Sequence, residues 1–196
     1  QSKLLLGMIM MDDALDTYHE EATEDYEKLS ALPEAEHEEH FSRSAFKRLP
    51  WLLILLVLSI PIAYITTLFE EVLVAVAVLA FFQPLILDAA GDVATQTLAV
   101  TLRILTKNPK DALKNGGKEV LTGLLTGFIM GISAFVIAYF LAIQMNSAQP
   151  LALAIVVGLS LWVTVMLSPV LGVLIPVSID KLGFDPAVAS GPFITT

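Results

Sequence analysis

The sequence predicts an all-α membrane protein with five transmembrane helices per subunit, the fifth cut short at the C-terminus, preceded by an acidic cytoplasmic helix. Three observations predict it. First, 56% of the 196 residues are hydrophobic and only 16% are charged, with a mean hydropathy of +0.74. Second, the charge is unevenly placed. Residues 1–48 hold 12 of the 20 acids, 5 of the 11 bases and all three His, a net −7, which leaves −2 for residues 49–196. Third, residues 49–196 divide into uncharged runs near bilayer length. Such a part has too little polar surface to cover a globule in water. This composition excludes an ordinary cytosolic enzyme and a disordered chain. The lack of cysteine excludes disulfides and thiolate metal sites. The acidic balance argues against nucleic acid as a partner and is compatible with cations.

The elements follow in order. Leu4–Met11 reads as a lone apolar strand, expected to close a larger cytoplasmic domain that precedes Gln1. Asp12 and Asp13 can cap a helix from Ala14 onward. Its Glu20/Glu24 and Glu21/Asp25 pairs are like charges four residues apart, which weaken an isolated helix. That helix is either a solvated face or a face that needs cations to dock. Glu34–His40, with Pro33, reads as a solvated linker rather than a transition-metal site. Spans are expected at about 49–69, 72–106, 120–144, 150–179 and 186–196. Arg43, Lys47 and Arg48 precede the first span, and Arg103 to Lys118 carry five bases between the second and third. The turn at Gln144–Pro150 is uncharged. This alternation puts the N-terminus in the cytoplasm and the C-terminus outside. Five helices make a thin wall, so a pore calls for a homodimer in the lipid bilayer.

The informative residues lie in the second span. Asp88 and Asp92 are four apart, hence on one helical face, with Pro84, Gly91, Thr95 and Gln96 on or beside that stripe. A carboxylate at bilayer depth costs at least ~2.5 kcal/mol unless water, a cation or a proton compensates. The plainer alternative puts Asp92 at a helix end among headgroups. A second polar spot is Asp185-Pro186 with Ser190-Gly191-Pro192, where Asp185 reads as an N-cap or as a cation contact. Carboxylate, hydroxyl, amide and backbone oxygens suit Mg²⁺, Ca²⁺ or Mn²⁺ better than soft metals. On this physics the ion stays a divalent cation.

Arg48-Leu49-Pro50-Trp51-Leu52, the run from Pro84 through Asp88, Gly91 and Asp92 to Gln96, and Asp185-Pro186-Ala187 with Ser190–Phe193 resemble the membrane domain of the MgtE-type magnesium channels. Residues 22–25 resemble that family's plug helix, and Gly7–Leu15 the end of a CBS domain. The resemblance implies a Mg²⁺-selective, non-enzymatic channel in the cell membrane. It implies a homodimer whose pore lies on the axis between helices two and five, with Mg²⁺ as both cargo and regulatory ligand. Pore contacts would fall at Asp88, Gly91, Asp92, Thr95, Gly191 and Thr195. Regulatory contacts would fall at Asp13, Glu21, Glu24 and Asp25, facing Asp185. Three departures stand out. Gly91-Asp92 replaces the family's usual Gly-Asn. Most of the sensor is absent from residues 1–48. The family's pore aspartate would fall just past Thr196. Other functions weighed are a proton- or Na⁺-coupled carrier relaying through Asp88 and Asp92, an intramembrane aspartyl protease built on Gly91-Asp92, and a membrane scaffold without transport.

Overall fold

The computed structural model describes residues 8–29, 40–71, 77–108, 111–187 and 194. Five helices are bounded among them: α1 (Met11–Leu29), α2 (Phe41–Thr67), α3 (Ala77–Lys107), α4 (Ala112–Gln144) and α5 (Pro150–Lys181). By length and composition α3 from Leu79, α4 and α5 can each cross a membrane, and α2 is a fourth if its two halves form one span. Those halves, Phe41–Pro50 and Leu52–Thr67, meet at a 40° bend, where Pro50 removes a backbone donor inside the helix. Of the expected fifth span, Pro186, Ala187 and Ile194 are helical and residues 188–193, 195 and 196 lie outside the described residues.

Two expected starts are corrected. No strand forms at Met8–Met10, and α1 opens at Met11, ahead of Ala14. Asp12 and Asp13 therefore sit in its first turn, where their charge complements the helix dipole. Residues 1–7 and 30–39, which carry most of the expected strand and linker, lie outside the described residues. Helix α4 begins at Ala112, eight residues before the uncharged run that predicted it. Lys114, Lys118 and Glu119 are charged but still helical. Gly116 and Gly117 do not break the helix. A Cβ on Gly116 would lie 2.8 Å from Val173 Cγ1, so the bare backbone is packed against α5.

The core joins α3, α4 and α5. Phe82 and Ala89 from α3 meet Ala134 and Ala138 from α4 and Leu153, Val157, Leu161 and Val165 from α5. A smaller cluster of Leu105, Ala112, Val173 and Val177 closes the opposite end. α4 and α5 pack most extensively against each other, with α3 against α5, while neither α1 nor α2 packs extensively on the bundle. Large apolar residues on the outer faces, among them Leu125, Phe128, Ile129 and Ile155, are exposed, as expected of a lipid-facing surface.

In lipid, helices associate through van der Waals contact and interhelical hydrogen bonds, because the tails are as apolar as leucine. The sequence supplies small residues for this. Gly123, Gly127, Gly131, Ala134, Ala138 and Ala142 form the buried stripe of α4. A Cβ on Gly131 would lie 2.8 Å from the Gly158 carbonyl oxygen, and a Cβ on Gly158 would lie 2.8 Å from that of Gly131. Trp162 Nε1 donates to the Leu124 carbonyl at 3.2 Å across the same contact.

The turns are closed locally. At the end of α4 the Ser147 N–H reaches the Ala142 carbonyl at 2.9 Å, with Asn146 in the left-handed region at φ 53°. At the end of α5 Gly183 takes φ 81° and the Phe184 N–H reaches the Ile179 carbonyl at 3.2 Å. Asn108 Nδ2 donates to Asp111 Oδ2 at 2.7 Å between α3 and α4.

Gly131→Leu is expected to lower the thermal unfolding midpoint in detergent by the equivalent of about 2 kcal/mol, as overpacking does. Gly117→Ala should not lower it, because nothing lies within 4 Å of a Cβ there. Equal midpoints for Gly131→Leu and the parent would show that the α4–α5 contact is not tight.

Candidate cation site

α3 runs unbroken through its polar stretch. Asp92 is its midpoint, with 15 residues on either side, and Asp88 lies one turn earlier. Asp92 is therefore not at a helix end: about 22 Å of helix continues beyond it to Lys107. Both carboxylates are exposed within the single chain, as their charge demands when no buried cation is near.

The i,i+4 stripe opens onto a cavity of about 970 Å³ between α3, α5 and α2. Pro84, Asp88, Gly91, Asp92 and Thr95 line it from α3, Thr164 and Ser168 from α5, and Ile62 from α2. Ile194, beyond α5, reaches it too. Gly91 has nothing within 4 Å of where its Cβ would be, so the backbone on this face is accessible to an ion or another chain. The Thr95 hydroxyl donates to the Gly91 carbonyl at 2.8 Å. Its proton is thereby committed, and its lone pairs remain available to a cation or water. Ser168 is arranged similarly, donating to the Thr164 carbonyl at 2.8 Å. Four of the sequence-expected pore residues, Asp88, Gly91, Asp92 and Thr95, thus share one cavity. Gly191 and Thr195 lie outside the described residues.

Gln96 faces elsewhere. It lines a second cavity of about 430 Å³, bounded by α3, α4 and α5, together with Asp88, Asp92, Thr97, Glu119, Thr122, Thr126 and Pro169. Asp88 and Asp92 therefore form a ridge between the two cavities. Glu119, Thr97, Thr122, Thr126, Thr164 and Ser168 were missed in the sequence. Glu119 stands beside Lys118 in what reads as a basic loop. Its spacing to Thr122 and Thr126 at helical intervals was the available signal.

The second group of expected residues lies apart. Asp13, Glu21 and Glu24 are exposed on α1. Glu20, Glu24 and Glu27 share one groove with His19 and Thr23, so the like-charge pair Glu20/Glu24 does fall on one face. Asp25 is in α1. Asp185 Oδ1 accepts the Ala187 N–H at 2.9 Å, the N-cap geometry expected for it.

Among the described residues no three His, Asp or Glu side chains converge tightly enough to hold a metal ion by themselves. What α3 offers is a set of separated oxygens around open space, which suits an ion that keeps its water. Asp88 and Asp92, one turn apart on the same helix, cannot oppose each other across a cleft as a protease dyad must.

Comparison with known proteins agrees with this chemistry. Magnesium transporter MgtE of Enterococcus faecalis is 40% identical over 98% of this chain and 42% of its own length. The protein of the same name in Bacillus subtilis is 36% identical over 100% of this chain and 43% of its own length. That of Thermus thermophilus is 32% identical over 98% of this chain and 42% of its own length. The chain thus spans less than half the length of the curated relatives it matches. These relatives are named for transport and not for catalysis. The MgtE model, described as a divalent cation transporter, matches residues 83–196, which include the carboxylate ridge, the α3–α4–α5 cavity, the lining of the larger cavity apart from Ile62, and the whole α4–α5 pair. The chain belongs to the MgtE family of divalent cation transporters.

Proposed function

We propose that this chain is the membrane part of a Mg²⁺ channel for magnesium uptake, with the pore on a homodimer axis. The observation that carries the reading is the Asp88–Gly91–Asp92–Thr95 stripe at the middle of α3, facing an open 970 Å³ cavity. Gly91, with open space before it, is where a second copy or a hydrated ion would approach. Gly191 and Thr195, which lie outside the described residues, are assigned to the pore on the family resemblance of Asp185–Ala187 and Ser190–Phe193. The names of the three relatives favour Mg²⁺ as cargo. The basic residues flanking the α3–α4 turn and the uncharged α4–α5 turn support a cytoplasmic N-terminus.

Gating follows from the charge of residues 1–48. Acids on α1, Asp13, Glu21, Glu24 and Asp25, repel one another and the Asp185 corner. Cytoplasmic Mg²⁺ bridging them draws α1 against the membrane domain and shuts the pore, acting as a plug. When Mg²⁺ falls, repulsion returns and the pore opens.

Flux of Mg²⁺ into liposomes holding the intact protein tests the pore, with Ca²⁺, Mn²⁺ and Co²⁺ as competitors. Gly91→Val is expected to reduce the flux to the level of empty liposomes, and full flux in this variant would remove Gly91 from the pore. Asp92→Asn is expected to leave Mg²⁺ permeation intact; loss of flux with loss of proton or Na⁺ coupling would favour the carrier mechanism. For the gate, Mg²⁺ should protect residues 21–27 from protease, and Asp185→Ala should weaken that protection. Cleavage indifferent to Mg²⁺ would sink the bridging mechanism.

A further inference from the structure

The α3–α4–α5 cavity belongs to neither the axis-facing surface nor α1. It is walled within one protomer by Asp88, Asp92 and Gln96 of α3, Glu119 of α4 and Pro169 of α5. Glu119 brings a third carboxylate to a space otherwise set among helices of the apolar bundle. Beside it lies Thr97, which is only 2% exposed. Its carbonyl accepts from the Thr101 hydroxyl, but its own hydroxyl has no hydrogen-bond partner among the described residues. Leaving such a group dry is unfavourable, because it loses its water without gaining a partner. Its Cβ and Cγ2 lie against Gly172 of α5, 2.8 and 3.0 Å from where a Cβ on that glycine would be. With the methyl turned to α5, the hydroxyl is the group Thr97 has left for the cavity it lines.

We infer that this cavity is a second station for a hydrated divalent cation, held through its waters by Glu119, Gln96 and the Thr97 hydroxyl, and in electrostatic contact with the pore through the shared Asp88 and Asp92. Size and chemistry agree. Six waters at ~30 Å³ each need ~180 Å³, and the cavity offers about 430 Å³. The carboxylates do not converge into a direct ligand cage, so the ion keeps its inner water shell, as Mg²⁺ prefers. The inference deepens the transport reading and rests on it for the identity of the ion.

Mn²⁺ titration of the intact protein in nanodiscs, read by electron paramagnetic resonance with Mg²⁺ as competitor, tests the site separately from flux. Glu119→Gln is expected to weaken one class of Mn²⁺ sites by at least about tenfold, the size of effect seen when supporting ligand-shell groups are lost. Thr97→Val, close in volume, should weaken the same class by a smaller factor, and Glu119→Asp should restore part of the loss. Binding in both Glu119→Gln and Thr97→Val that matches the parent overturns the station. If Glu119→Gln does not elute as a folded protein, Thr97→Val decides alone. Absence of Mg²⁺ flux in the parent protein would overturn the transport reading instead, and the Mn²⁺ titration would still report the cavity.

Discussion

A carboxylate halfway along an apolar helix must face something polar, and the rest of this membrane domain is arranged around that constraint. α3 carries two, one turn apart, and cannot bury them against α5 or turn them to lipid. The helix instead packs through Phe82, Ala89, Ala94 and Leu98, which are buried, and leaves the Asp88–Asp92 ridge over open space on both sides. The close approach of α3 and α5 depends on Gly172, where a Cβ would lie 2.6 Å from the Ala94 carbonyl oxygen. That contact fixes which way the ridge points.

Much of this was legible in the sequence because it rests on period and charge. A spacing of four from Asp88 to Asp92 places both on one face whatever surrounds them, and long uncharged runs give spans without knowledge of partners. Asp185-Pro186 reads as a cap because an N-cap bond is local. Of the stretches that carried the family likeness, Pro84–Gln96 and Asp185–Phe193 lie inside the matched region and Arg48–Leu52 lies before it.

What was not legible depends on other chains of contact. Gln96 looks like part of the pore stripe, yet a further 100° of helical rotation per residue beyond Thr95 turns it to the inner cavity. Glu119 looks like one more charge in a basic loop, because the start of α4 is hidden by residues that are polar and helical at once. Thr97 looks like any threonine, and only packing against Gly172 isolates its hydroxyl. The start of α4 moved to Ala112 because charged residues extend the helix ahead of the apolar run by which it was recognised, and the start of α1 moved to Met11 because Asp12 and Asp13 sit inside its first turn rather than capping it.

The mutual seating of Gly131 and Gly158 has a mechanical consequence. Each glycine receives the other's carbonyl, and Phe135 Cβ would lie 2.9 Å from a Cβ on Gly158. Sliding α4 along α5 by one residue would bring a side chain to a place that only a hydrogen fits. The pair is thus locked in register and moves as one stiff strut. A change in the shape of this domain that kept the strut intact would fall on α2, which packs less extensively than α3, α4 and α5.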